Sequence, residues 1–368
     1  MMIQSSSSIS AWGGVALAFL ASAVFVVALM RPARRVGLVD HPTGRKAHEV
    51  PTVLVGGLAI FLSWILVLYL TGLLWGQSES LWVALLITVA IGLADDAHEI
   101  GYRSKFFAQL LAALVVVSGT TIHVMHVGDI FAVGDLVLGK WSYLITAIAI
   151  IGLMNAINMI DGLDGLAGSQ VLLSLSAFAL VAMKAGDAQL ALELLFLCGA
   201  VGGFLIFNLR SPLLKRALVF LGDTGGLLLG LLLAWFSIRL AGAEVAPLRP
   251  MTAVWLLAVP LLDMGAVMLL RIRQRKSPFQ PDRQHLHYVL HDAGFTVGQV
   301  VFMMGALSIM CSALALLCEA YSVPEFIMFG AFLGFMLVYG KLITHPDLVG
   351  SRRETAQAVG RMPLDSER

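Results

Sequence analysis

The sequence predicts an all-α polytopic membrane protein with about eleven transmembrane helices, its N-terminus outside and its C-terminus cytoplasmic. Of its 368 residues, 59% are hydrophobic and 13% are charged, about half the charged share of a soluble domain. The mean hydropathy is +0.89, and apolar runs long enough to cross a bilayer recur from end to end. These observations exclude a soluble enzyme, and a net charge of +1 gives no basic excess for nucleic acid.

The predicted spans are the apolar runs between short polar joints. They cover residues 11–30, 53–73, 81–94, 106–120, 143–158, 170–183, 190–207, 218–237, 252–270, 299–318 and 324–343. The first run is interpreted as a retained helix and not as a cleaved signal, because no Lys or Arg precedes it whereas Arg residues follow it. We assign residues 1–343 to one membrane-embedded domain and residues 344–368 to a polar cytoplasmic tail.

The predicted orientation follows from positive charge, because cytoplasmic loops carry an excess of Lys and Arg. Twenty of the 24 Lys and Arg residues lie in the odd-numbered joints and the C-terminal tail. The even-numbered joints hold only Lys140, Lys184, Arg239 and Arg249. The odd-numbered joints are therefore expected to face the cytoplasm.

Titratable side chains also concentrate on the predicted cytoplasmic side. Seven of the nine histidines lie there, whereas His123 and His126 lie opposite. Simple avoidance of lipid by ionisable residues would decorate both sides equally, so we interpret this side as a functional face. It also carries Asp40, Asp95, Asp96, Asp161, Asp164, Asp223, Asp282 and Asp292.

Two adjacent carboxylates, Asp95 and Asp96, end the third predicted span. Adjacent carboxylates repel each other unless a cation or a proton intervenes. The pair indicates a metal, phosphate or proton-transfer site. The alternative, a solvated helix end, is disfavoured because acids at a helix C-terminus oppose the helix dipole.

Polar residues at a spacing of three, Asn155, Asn158, Asp161 and Asp164, end the fifth span in a glycine-rich joint. If the helix continues that far, this spacing places them as one stripe, and the glycines permit close approach of a ligand. The alternative is a glycine-rich turn in which the carboxylates serve as caps.

Asp223 begins the eighth span within Leu221-Gly222-Asp223-Thr224-Gly225. A single Asp at a helix start is often an N-cap. It could equally hold a hard cation such as Mg²⁺ together with phosphate oxygens. The residues alone leave both interpretations open.

The last cytoplasmic joint combines Arg283 with His285, His287 and His291, a set suited to phosphate. His287 and His291 at i, i+4 would share a helical face, which also permits zinc, but no nearby thiolate or Glu completes a familiar zinc set. Surface histidines are the third interpretation.

Two further candidates are less specific. Asp263 lies within the ninth span, where an intramembrane carboxylate is either functional or a hydrogen-bond partner between helices. The first cytoplasmic joint offers Lys46 as a phosphate partner, or merely the positive-inside signal. Together, carboxylates, cations and glycines on one membrane face favour phosphoryl transfer between a cytosolic anion and a lipid-borne substrate.

The motifs resemble the polyprenyl-phosphate N-acetylhexosamine-1-phosphate transferase family, in family order and over nearly the whole chain. The matching segments are 37–40, 95–96, 158–165, 208, 221–225, 260–263 and 281–287. The Ser277-Pro278-Phe279 segment and the His-x-His motif are more similar to bacterial undecaprenyl-phosphate enzymes that use UDP-N-acetylglucosamine than to those that use the muramyl-pentapeptide nucleotide.

The resemblance implies transfer of N-acetylglucosamine 1-phosphate from UDP-N-acetylglucosamine to undecaprenyl phosphate, with release of UMP. It implies an active site on the cytoplasmic face of the bacterial inner membrane and a Mg²⁺ ion, for which Mn²⁺ could substitute. A covalent route through a carboxylate nucleophile also fits. The implied catalytic residues are Asp95, Asp96, Asp161 and Asp164, the substrate-binding residues are Lys46, Asn158, Asn208, Arg283, His285, His287 and His291, and the metal ligand is Asp223.

One departure from the family pattern concerns Ala97, which stands where a basic residue is expected after the Asp pair. A cationic phosphate contact is then missing, or His98 replaces it. The partners implied are a UDP-sugar, a polyprenyl phosphate and the bilayer, without nucleic acid; a homodimer is compatible. The alternatives are another UDP-N-acetylhexosamine donor, an ion-coupled transporter, or an inactive membrane scaffold.

Overall fold

The computed structural model describes residues 9–42, 50–243, 246–277 and 283–345. Helices dominate these ranges, and three short strands join them. The helices are α1 (Ala11–Arg35), α2 (Gly56–Leu70), α3 (Glu79–His98), α4 (Tyr102–Gly119), α5 (Trp141–Ile160), α6 (Leu166–Lys184), α7 (Ala188–Asn208), α8 (Gly222–Ala241), α9 (Pro250–Leu256), α10 (Ala258–Arg273), α11 (Leu286–Asp292), α12 (Val297–Ala320) and α13 (Glu325–Thr344). The strands are β1 (Val39–Asp40), β2 (Thr52–Leu54) and β3 (Val219–Phe220).

Each predicted span falls on a helix or a broken helix. Within the described ranges, eight helices are long and apolar enough to cross a membrane, namely α1, α3, α5, α6, α7, α8, α12 and α13. The ninth predicted span is the pair α9 and α10, which bends by 85°. The other two, α2 and α4, have 15 and 18 residues and do not pass as spans. A helical polytopic membrane protein is confirmed; the count of eleven and the orientation stay predictions.

Helix α8 is the centre of the bundle. Of its most apolar stretch, 89% is buried, compared with 17% for α13. It packs against α2, α3, α5 and α6, so its apolar side chains face other helices in every direction. A helix that is hydrophobic all round is typical of such a central position. The first turn of α8 is therefore held by several elements at once.

The strands form a small sheet that the all-α prediction did not include. Strand β2 pairs antiparallel with β1 and parallel with β3. Strands of two or three residues are too short for the alternating pattern that identifies a strand in a sequence. The sheet joins the segment before α2 to the segment before α8, and Gly57 N donates to Leu221 O at 2.9 Å. The start of α8 is thereby fixed to α2.

Close backbone contact at Gly57 gives a first testable prediction. A Cβ at Gly57 would overlap the backbone of Gly225 in α8. Gly57→Ala should therefore destabilise the bundle by about 1–3 kcal/mol, the usual cost of overpacking, and lower the Tm measured by tryptophan fluorescence in detergent. Gly330→Ala is the matched control, because no atom lies within 4 Å of its added Cβ. Equal Tm values for the two variants would contradict the tight α2 and α8 packing.

Candidate active site

The first turn of α8 is capped by a side chain from another helix. Asp96, in the last turn of α3, accepts hydrogen bonds from Asp223 N at 2.7 Å, Thr224 N at 3.1 Å and Thr224 Oγ1 at 2.7 Å. These bonds satisfy amide groups that have no partner inside their own helix. Asp223 therefore does not serve as the N-cap of α8, and that alternative from the sequence is wrong.

Lys105 connects the two other carboxylates at this point. Its Nζ lies 2.6 Å from Asp95 Oδ2 and 3.4 Å from Asp223 Oδ2. Lys105 thus brings a cation from α4 to the Asp pair, whereas His98 is exposed. The expectation that a cationic phosphate contact is missing or replaced by His98 stays a prediction. Asp95 is only 4% exposed, and its Oδ1 has no hydrogen-bond partner in the described part of the chain.

Helix α5 delivers two more polar groups to the same place. The side chain of Asn158 lies beside the Asp223 carboxylate, and a Cβ on Gly226 of α8 would overlap the Oδ1 of Asn158. Asp161 follows the last residue of α5, where burial raises its pKa to about 7, with further contributions from the charges of Asp223, Asp96 and Asp164. A carboxylate that resists ionisation beside other carboxylates lacks a compensating positive charge. We name Asp95, Asp96, Asp161 and Asp223 the carboxylate cluster.

Asp164 and Asn208 hold the loops around this cluster. Asp164 Oδ2 accepts from Arg210 Nε at 2.7 Å and from Ala217 N at 3.1 Å. Asn208 Oδ1 accepts from Gly165 N at 2.9 Å, and its Nδ2 donates to Val219 O at 2.9 Å. Both side chains thus tie the α5–α6 turn to the α7–α8 connection, and their catalytic and substrate-binding roles stay predictions.

The histidine motif lies against the same turn. His287 is fully buried, and neither ring nitrogen has a hydrogen-bond partner in the described ranges. Burial lowers its pKa to about 3, so its ring is neutral. A Cβ on Gly162 would overlap His287 Nε2. This nitrogen therefore contacts the residue that directly follows Asp161 in the chain. An unpaired buried ring nitrogen is costly unless a partner arrives, so His287 is a candidate substrate contact.

The remaining predicted site residues divide into three cases. Arg283 lies over the Tyr288 ring, 4.8 Å from its centroid, and is 45% exposed. His291 Nδ1 lies 3.1 Å from Phe295 O at the end of α11, so this nitrogen is engaged away from the carboxylates. Lys46 lies outside the described residues, and so does the predicted tail from residue 346 onward.

The donor set fits a hard divalent cation. Asp223 and Asp161 offer carboxylate oxygens without an N-capping duty, and such oxygens are the ligands that Mg²⁺ prefers. The pKa of Asp161 is raised, and Asp95 Oδ1 accepts no hydrogen bond from any described residue. Both features are expected of carboxylates whose charge a bound cation would compensate. Lys105 and the histidines add groups suited to phosphate.

Known proteins are similar in sequence to this chain over most of its length. Residues 79–241 match the family described as glycosyl transferase family 4. Relatives named undecaprenyl-phosphate alpha-N-acetylglucosaminyl 1-phosphate transferase occur in Yersinia pestis, 31% identical, and in Salmonella typhi, 32% identical, each covering 88% of this chain and 89% of the relative. The Haemophilus influenzae relative of that name is 33% identical over 88% of this chain and 91% of its own. The chain therefore belongs to glycosyl transferase family 4, together with these sugar-phosphate transferases.

Proposed function

We propose that the protein transfers N-acetylglucosamine 1-phosphate from UDP-N-acetylglucosamine to undecaprenyl phosphate and releases UMP. The observation that carries the proposal is the carboxylate cluster at the start of α8, bridged by Lys105 and faced by the buried ring of His287. The nitrogens of that ring have no hydrogen-bond partner among the described residues. Relatives named for this transfer, similar over 88% of the chain, support it. Anionic ligands for a cation and cationic ligands for phosphate are the two requirements of phosphoryl transfer.

In the proposed reaction, an oxygen of the lipid phosphate forms a bond to the sugar-bearing phosphorus. The bond from that phosphorus to the bridging oxygen breaks, and UMP leaves with that oxygen. No strong base is needed, because a phosphate monoester has its second pKa near 6 and is largely dianionic at neutral pH. The work of the protein is then positioning and charge compensation.

Three residues of the carboxylate cluster and three of their neighbours have definite parts in this proposal. Asp223 and Asp161 would hold Mg²⁺, which when bound neutralises phosphate charge. Asn158 lies beside the Asp223 carboxylate and would help to orient it. Asp96 fixes the backbone that carries Asp223. Lys105 and His287 would contact phosphate oxygens, one as a cation and the other as a neutral donor.

The proposed location is the cytoplasmic face of the bacterial inner membrane. In the predicted eleven-span topology, twenty of the 24 Lys and Arg residues fall on the same side as the cluster, as expected for cytoplasmic loops. A charged nucleotide sugar would reach the cluster from the aqueous side, and a polyprenyl chain would remain in the bilayer. The relatives are bacterial proteins, which supports this assignment.

The test is UMP release by purified protein in detergent with undecaprenyl phosphate, Mg²⁺ and UDP-N-acetylglucosamine. We expect UMP only when lipid and metal are both present, and none after EDTA. Release from a different UDP-N-acetylhexosamine would keep the chemistry and change the donor. No release from any donor would contradict the proposal and favour a transporter or a scaffold.

A further inference from the structure

A buried carboxylate, Asp263, lies in the second turn of α10, beyond the 85° bend that separates α9 from α10. Its side chain is 1% exposed. Burying a carboxylate is costly unless hydrogen bonds compensate it. The hydrogen-bond partners of Asp263 therefore indicate its role in the structure.

Asp263 has three hydrogen-bond partners, and they come from two other parts of the chain. His285 Nδ1 lies 2.5 Å from Oδ2, and Leu286 N donates to Oδ1 at 3.2 Å. The Tyr339 hydroxyl, from α13, donates to Oδ1 at 3.0 Å. One carboxylate thus binds both the ring and the adjoining backbone of the segment that begins α11. Tyr339 is itself 2% exposed, so α13 also fixes the position of the Asp263 carboxylate.

This arrangement determines how the His285 ring is presented. A carboxylate on Nδ1 keeps the proton there and leaves Nε2 as the nitrogen that can accept from or bind another group. The ring of His285 is stacked on that of His287, with centroids 5.4 Å apart and an angle of 20° between planes. Fixing His285 therefore also supports the buried ring of His287, which faces Gly162 beside the carboxylate cluster.

We infer that Asp263, supported by Tyr339, is a positioning residue that sets the tautomer and orientation of His285 and through it the placement of His287. This inference rests on the proposed function for its effect on turnover. Its structural part, the state of the His285 ring, does not depend on any reaction.

A second interpretation of the same residues is a transition-metal site. The ligand atoms of Asp263, His285 and His287 lie within 4.8 Å of one another, and zinc accepts such a set. The bonds favour positioning, because both oxygens of Asp263 and Nδ1 of His285 are already engaged by protein groups. Zinc is therefore an outcome that the test must be able to reveal.

The first measurement is the ¹⁵N spectrum of histidine-labelled protein in detergent, with His285→Gln used to identify the His285 signals. We expect wild-type His285 to be protonated at Nδ1. Asp263→Asn should redistribute the proton between the two nitrogens, because the amide can donate as well as accept. Unchanged His285 signals in Asp263→Asn would overturn the inference, and so would one zinc per chain, retained after EDTA washing of the wild type and lost in the variant.

The second measurement is kinetic. Asp263→Asn should lower kcat about 10- to 100-fold, the usual range for groups that orient a binding residue, with a smaller change in KM. Tyr339→Phe removes one of the three bonds and should give a smaller loss; it also serves as the test if Asp263→Asn does not fold. Wild-type kcat in both variants would overturn the inference.

A control separates positioning from general stability. Glu325 is also a buried carboxylate, and it accepts from Asp129 N and Met251 N, both at 3.1 Å. Glu325→Gln should lower Tm without changing kcat or the His285 signals. If wild-type protein releases no UMP with any donor, the proposed function fails, but the spectrum still decides whether Asp263 sets the His285 ring.

Discussion

Asp223→Asn is expected to lower kcat for UMP release by about 10³-fold, since removing even one group that stabilises developing charge costs about 10²–10³. Asp223 lies in the first turn of α8, where its carboxylate lies beside Asn158 and 3.4 Å from Lys105 Nζ. Asp223 does not cap the helix. Asn keeps the size of the side chain but removes the charge and replaces one acceptor oxygen with an NH₂ donor. Loss of activity would thus report loss of a cation ligand.

The same variant can be tested without turnover. The affinity for Mn²⁺, measured by electron paramagnetic resonance, should fall by at least about 100-fold, because even groups behind metal ligands contribute about 10- to 100-fold. Asp135→Asn is the matched control, since Asp135 is 52% exposed and pairs with His126 outside the cluster. Near-normal kcat and Mn²⁺ affinity in Asp223→Asn would contradict the proposed metal site.

The sequence predicted the long helices because each one is an apolar run between polar joints. It did not predict the short helix α11 (Leu286–Asp292), which is not an apolar run. It could not predict the sheet, whose pairing of Leu54 with Phe220 joins segments far apart in the chain. It also could not predict the 85° bend between α9 and α10, since residues 252–270 were predicted as one continuous span. Periodicity indicates elements, whereas bends and long-range pairing depend on tertiary packing.

The polar stripe of the fifth span shows a more specific limit. A spacing of three places residues on one face only while the helix continues, and α5 ends at Ile160. Asn158 therefore lies on the helix, whereas Asp161 follows its end and Asp164 lies in the turn. Because the helix ends there, Asp161 lies near the other carboxylates of the cluster. Asp164 instead pairs with Arg210. The motif can be recognised in the sequence, but the different contacts of Asn158, Asp161 and Asp164 cannot be predicted from it.

The Asp95-Asp96 pair was predicted as one unit, and the structure separates its members. Asp96 is bonded to the start of α8, whereas Asp95 is bonded to Lys105. The chain reverses just after the pair, where Glu99 adopts a left-handed conformation with φ of 47°. This reversal brings the fourth residue of α4 back to the end of α3. Lys105 is a cation near the start of the next helix, which could have indicated a contact with the Asp pair. In the sequence analysis it contributed only to the count of positive charges in the loops.

Lys105→Met should lower kcat about 100-fold and at the same time strengthen Mn²⁺ binding about tenfold. The first effect follows if Lys105 contacts a phosphate, since each charge-assisted contact made in the transition state contributes about 10²–10³. The second follows from Coulomb's law, because a positive charge 3.4 Å from Asp223 Oδ2 competes with a cation at that carboxylate. Opposite changes in turnover and metal affinity are not expected from simple unfolding.

The control is Arg103→Met, which removes an equal charge two residues earlier, where Arg103 lies against the Tyr102 ring and is exposed. Its kcat and Mn²⁺ affinity should match the wild type. A Lys105→Met variant with stronger Mn²⁺ binding but wild-type kcat would make Lys105 a counter-ion for Asp95 and nothing more. Weaker Mn²⁺ binding would instead show that Lys105 maintains the arrangement of the carboxylate cluster. The reason is that Asp95 is only 4% exposed, and a buried carboxylate that loses its paired cation repels the neighbouring carboxylates. Because the three outcomes differ in the sign of the affinity change or in kcat, this one variant determines whether the cation from α4 acts on the substrate or on the protein.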